Sequence, residues 1–261
     1  MIDAFASRPH PLLILIVLVP LALIPLIIAY LLTVKNAKDD TDQGEAAFGL
    51  GVGAIFGLIA LILGFSFAFA AERFEARRAL IVQEAIAVGR VDLQADFVPK
   101  AQQAPFRKLI AAYAQARLES YEDLSDVRAE GAAVERASDL HEKLWRVVSD
   151  DARSDTRNLL YNTLVASVDE MGDIAEAQRA AVNNHVPAAI VGIILFATVA
   201  GSVLMGVTFG RAKSPHPVLS TVFCLLCAAT VFTIIDLDDG RRGFIRLETA
   251  PLQSTIKDLH G

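Results

Sequence analysis

Four long apolar stretches divide this chain, at residues 11–34, 46–71, 187–210 and 217–235. At about 1.5 Å of rise per residue, a helix of roughly 20 residues crosses a hydrocarbon core of about 30 Å. The last stretch is the shortest and lies nearest the lower limit for a span. The second passes into a charged helical pattern at Glu72 with no turn residue between. A helix that leaves a bilayer and keeps going joins a membrane segment to a rigid stalk. The first stretch is far longer than the roughly 7–15 residues of a signal core, so it is expected to be retained. Pro20 and Pro25 inside it each remove a backbone donor and predict a kink. Whether that kink gates anything or is simply tolerated stays open.

Between the second and third stretches the pattern is helical throughout, with no strand-like alternation. The helix leaving the second span is expected to run toward Gly89 or Asp96 and to end before Pro99. Pro105 opens the next, with Phe106, Leu109, Ile110, Tyr113, Arg117 and Tyr121 at helical spacing. A third helix around 134–148 carries Leu140, Leu144, Trp145 and Val148 on one side. A fourth carries the stripe Leu160, Leu164, Ser167, Val168, Met171, Ile174, Ala175 and Val182, and runs to Asn184 before Pro187 starts the third span. That stripe should pack on the helix from the second span near Leu80, Glu84 and Val88.

Composition sharpens this picture. Hydrophobic residues are 54% of 261 and charged ones 21%, and the charges are segregated, as alternation between lipid and water requires. The segment 72–186 holds 15 Lys/Arg and 20 Asp/Glu, a net of −5 that nearly equals the whole-chain −6. A mildly acidic, mixed surface gives no support for nucleic-acid binding. Basic residues near the span ends set orientation. Arg8, Arg73, Arg77, Arg78, Arg179, Arg241, Arg242 and Arg246 share one side, against Lys35, Lys38, Arg211 and Lys213 on the other. Both termini and the 72–186 segment are therefore expected in the cytoplasm.

Motifs for chemistry are few. The five histidines are scattered without metal-ligand spacing, and no glycine loop suits a phosphate. Cys224 and Cys227 form a C-x-x-C inside the fourth span, where a second ligand pair or a strand–helix turn is missing. Packing within a membrane helix is the expected role. Asp236, Asp238 and Asp239 directly follow the fourth span, and clustered carboxylates can hold Ca²⁺. Their spacing is not that of an EF-hand loop; a solvated turn answered by Arg241 and Arg242 is the favoured reading. The spans are expected to hold no acidic or polar residue that couples ions, which argues against a transporter. Neither an enzyme nor a cofactor is expected.

A glycine–phenylalanine pair followed by small residues, then E-R-F-E-A-R-R-A-L-x-x-x-E-A, resembles the second span of bestrophin channels and of the bacterial bestrophin-like family. Tyr113 with Arg117, the stretch N-N-H-V-P before the third span, and D-L-D-D-G-R-R-G-F-I-R-L-E-T-A-P-L near the end fit the bacterial family too. The resemblance covers most of the chain from about Gly51 to Leu252. It implies five subunits around one axis, with the second span lining a narrow apolar neck. In bestrophins a neck phenylalanine precedes an arginine by eight residues, as Phe65 precedes Arg73. Leu61 lies four residues earlier on the same face, and ordinary helix packing is the competing role for both. Gly57, four earlier again, departs from the bulky residue of the family. Dewetting at such a neck favours weakly hydrated anions. Arg73, Arg77 and Arg78 would either gather anions at the cytoplasmic mouth or anchor to lipid headgroups.

The expected fold is all-α, with four transmembrane helices and a long cytoplasmic helical bundle inserted between the second and third spans. Its parts are residues 1–71, the first two spans; 72–186, the stalk; 187–235, the last two spans; and 236–261, a cytoplasmic C-terminal segment. The expected protein is a multi-pass inner-membrane anion channel of chloride type. Its partners are the lipid bilayer, small anions and further copies of itself, a pentamer by resemblance. The alternative is a membrane-anchored helical scaffold or signalling module that conducts no ions.

Overall fold

The computed structural model describes residues 11–36, 42–122, 127–154, 159–184, 186–240 and 243–259. Arg8, Lys38, Arg241 and Arg242, counted above among the charges at the span ends, lie outside them. Among the described residues there are helices and no strands. In chain order these are α1 (Pro11–Asn36), α2 (Asp42–Gln94), a 3-10 turn (Ala95–Phe97), α3 (Lys100–Glu122), α4 (Val127–Ser154), α5 (Leu159–Asn183), α6 (Ala188–Arg211), α7 (Pro217–Asp239) and α8 (Ala250–Asp258). Four stretches are long and apolar enough to cross a membrane: Ile14–Asn36, Gly44–Phe97, Leu159–Arg211 and Pro217–Asp239. The chain divides into two compact units, Met1–Arg73 with His185–Ile245, and Phe74–Asn184 with Arg246–Gly261. The division falls within α2, which is one helix of 53 residues through the charged pattern at Glu72.

In the polar unit, α2 gives way to the 3-10 turn before Pro99. The Gln103 amide closes that turn by donating to the carbonyls of Asp96 (3.1 Å) and Val98 (2.9 Å). α3 starts at Lys100, so Pro105 lies inside the helix and does not open it. The proline removes one backbone donor near the helix start, a loss offset by burial of Phe106, Ile110 and Tyr113 immediately after it. α4 is longer at both ends than the expected 134–148. Its added turns are rich in charge and carry little apolar signal, which is why periodicity missed them. Val88 and Val91 of α2, Phe106 and Ile110 of α3, Leu144 and Val148 of α4, and Leu164, Val168 and Met171 of α5 form one core. Leu164, Ser167, Val168, Met171 and Ile174 of the α5 stripe are buried, whereas Ala175 and Val182 are half-buried and Leu160 is 56% exposed at the helix start. Arg90 of α2 and Glu170 of α5 pair at the rim of this contact.

In the apolar unit, α1 packs mainly on α6 and also on α7, and runs on as helix through both of its prolines. Small residues on α6 permit the α1 contact. A Cβ at Gly206 would lie 2.3 Å from the Leu26 carbonyl oxygen and 2.9 Å from the Ala29 Cβ. One at Gly210 would lie 2.6 Å from the Thr33 Cβ. Close approach through small residues four apart is how apolar helices gain dispersion contact where lipid removes the hydrophobic drive. Cys224 and Cys227 are free and buried, Cys224 against Ala22 and Leu26. The spans are less bare of polar groups than expected: Ser66, Thr198 and Ser202 are buried. Each hydroxyl donates to the carbonyl four residues back, at 2.7, 2.9 and 2.9 Å, which satisfies it within its own helix.

Candidate functional site

Helix α2 has two distinct faces in the apolar unit. Ile59, Ser66 and Ala70 turn inward and are buried. Phe56 packs edge-on against Phe223 of α7, with ring centroids 5.5 Å apart. Leu61, Phe65 and Phe69, four residues apart and so on one side of the helix, turn outward and are 54%, 57% and 56% exposed. Ala68 and Glu72 lie on the same outward side and are exposed. A Cβ at Gly57, one turn before Leu61, would meet nothing within 4 Å. The two residues expected at a neck are thus brought onto one open apolar face that their own chain does not cover.

The three arginines beyond the span fare differently from one another. Arg77 is buried, and its guanidinium donates to the carbonyls of Ala181 (3.0 Å) and Asn184 (3.0 Å) at the end of α5. A cation there satisfies orphan carbonyls and complements the negative end of the helix dipole. Arg78 is half-exposed, 3.6 Å from Glu75 and 3.6 Å from Glu248. Arg73 lies on the inward side of α2 with one terminal nitrogen buried and without a hydrogen-bond partner among the described residues.

The acidic group after the fourth span is not a solvated turn. Asp236 and Asp238 lie within α7 and are buried. The Asp236 carboxylate accepts the backbone N–H groups of Phe244 (3.1 Å) and Ile245 (2.9 Å), and Asp238 accepts that of Val186 (2.9 Å). Gly240, in the left-handed conformation at φ 59°, ends the helix and lets the chain fold back toward Asp236. A Cβ at Gly243 would sit 2.0 Å from an Asp236 carboxylate oxygen. These carboxylates bind backbone, and Asp239 is partly exposed. Among the described residues, no three His, Cys, Asp or Glu side chains converge as a metal would need.

The feature that sequence reasoning missed is a buried ionic hub in the polar unit. Glu84 of α2 has no solvent exposure. Its carboxylate pairs with the Arg117 guanidinium through both oxygens, the second contact at 3.2 Å. It also accepts the Tyr121 hydroxyl at 2.6 Å, with Tyr113 at 3.5 Å. Tyr121 in turn accepts from Arg117 (2.8 Å) and from the Gln178 amide of α5 (2.8 Å). Burial and then the Glu84 charge push both tyrosine hydroxyls well above the usual phenol range. Burial alone would lower Arg117, but Glu84 and Tyr121 outweigh it and push the guanidinium up. The helical spacing of Tyr113, Arg117 and Tyr121 was visible as a core stripe. Its signal as a hub was a glutamate, Glu84, at an inward position of the facing helix.

Helices throughout the described residues, with four membrane-length apolar stretches that each expose apolar side chains, define a helical membrane protein. A family model for the Bestrophin-like domain matches residues 11–252. The chain belongs to the bestrophin-like family. Among solved structures it is similar to a bacterial Bestrophin homolog from Klebsiella pneumoniae, with 16% identity, 95% of this chain and 96% of that chain covered, and a TM-score of 0.67. A variant of that homolog with an aspartate replaced by alanine gives 18% identity, 95% and 97% coverage and a TM-score of 0.67. No curated protein matches the chain.

Proposed function

We propose that this protein is a passive ion channel formed by several copies of the chain in a membrane, with the outward face of α2 turned to a central axis. The resemblance supports five copies, and the excess of arginine near the span ends supports an inner-membrane setting with both termini in the cytoplasm. The observation that carries the reading is the pairing of Leu61 with Phe65 on a face left open by the rest of the apolar unit. Such side chains form an apolar ring that dewets and gates. No catalytic role is assigned.

A dewetted neck of the kind the resemblance implies favours weakly hydrated anions. Arg77 bonds α5 carbonyls and Arg78 lies near two carboxylates, so neither adds unpaired positive charge at the mouth. Charge on the conducting face itself then weighs against the neck in setting the sign of the permeant ion. Cryo-electron microscopy of the protein in lipid tests the arrangement. A closed ring with Leu61 and Phe65 on its axis is the expected result. Tight packing of α2 at the centre with no water path would favour the scaffold.

A further inference from the structure

We infer that Glu72 is the residue that sets the charge preference of the pore, and that it makes the pore favour cations. The inference rests on the channel reading of the α2 face. Leu61, Phe65, Ala68 and Glu72 follow one another at spacings of four, three and four residues, so they share one side of the helix. Glu72 is exposed, and among the described residues it forms no hydrogen bond or ion pair. It lies about 10 Å along the helix from Phe65, from seven residues at 1.5 Å each.

No basic side chain on this face offsets it. Arg73, the next residue, sits on the inward side with Ser66 and Ala70, one of its nitrogens fully buried. Arg77 and Arg78 are engaged within the polar unit by α5 carbonyls and by Glu75 and Glu248. The first formal charge after the apolar face is therefore a carboxylate. In a ring of copies it becomes a ring of carboxylates beside a constriction with low-dielectric walls. Such a ring concentrates counter-ions and repels ions of its own sign. Screening over about 8 Å at physiological salt does not erase this when the carboxylates line the path themselves.

The test is the reversal potential of purified protein in planar bilayers under a potassium chloride gradient, read as the ratio of potassium to chloride permeability. Wild type should favour potassium. Glu72→Gln should lower the ratio by about tenfold, Glu72→Asp should keep it high, and Glu72→Lys should invert it. If a charge change impairs assembly, Glu72→Cys supplies an independent arm. Its modification by an anionic sulfonatoethyl methanethiosulfonate should raise the ratio, and by a cationic trimethylammonium analogue should lower it. Treated wild type, whose Cys224 and Cys227 are buried, is the control. Conduction with a ratio that ignores both substitution and modification overturns the role of Glu72 and leaves the channel standing. Absence of conduction in wild type and every variant, with oligomers intact, overturns the channel reading and this inference with it.

Discussion

A carboxylate with no solvent exposure is held by whatever cation lies beside it, and for Glu84 that cation is Arg117. Removing one member leaves the other charged and buried, at a cost of about 3–5 kcal/mol. Glu84→Ala should lower the thermal midpoint sharply, whereas Tyr113→Phe, which loses only a long 3.5 Å contact, should change it little. Unfolding followed by tryptophan fluorescence in detergent checks both. The hub also predicts alkaline sensitivity. Tyr113 and Tyr121 have folded pKa values raised above their unfolded ones. Their contribution is fully present below the unfolded value of about 10 and is lost as pH rises above it. Midpoints should therefore fall above pH 10, and less steeply in Tyr121→Phe; a pH-independent midpoint from 8 to 11 would contradict this. At this scale the sequence was least informative. Arg73, Arg77 and Arg78 look alike in E-R-F-E-A-R-R, and what separates them is a helix end 104 residues away in the chain.

The helices themselves were easier to read than their ends or their faces. Long apolar runs and a 3.6-residue stripe are local signals, so the four spans, α5 and the course of α2 were legible. The start of α3 was not, because burial after Pro105 outweighs a local rule. The end of α7 was not either, because the partners of Asp236 are backbone groups eight and nine residues downstream. The only trace in the sequence was Gly243, which must lack a Cβ beside that carboxylate. Contacts between elements yield their own prediction. Gly206→Leu would drive a side chain into the α1 backbone and should destabilise the protein by about 1–3 kcal/mol or more. Gly192→Ala, on the same helix with nothing within 4 Å, should be neutral or stabilising by up to about 1 kcal/mol. Equal melting of both variants would mean that the α1–α6 contact is not a tight one.

At the scale of the whole molecule, the family and the all-helical fold were legible from a few motifs spread along the chain. What covers the α2 face was not, because an outward face looks the same in sequence whether lipid, a partner or water covers it. Topology has a direct check. A cysteine replacing Asp40 should react with an impermeant reagent added outside sealed cells, and one replacing Ser125 should not; labelling of the second would reverse the orientation. On the proposed reading, ions pass along the α2 face, with Phe65 at the constriction. The measurement that tests it most directly is ion efflux from vesicles holding equal amounts of folded wild-type and Phe65→Ala protein. Efflux from wild type that rises when Phe65 is cut back is the predicted result. Intact oligomers that pass no ions in either form, with Phe65→Ala merely less stable, would contradict it.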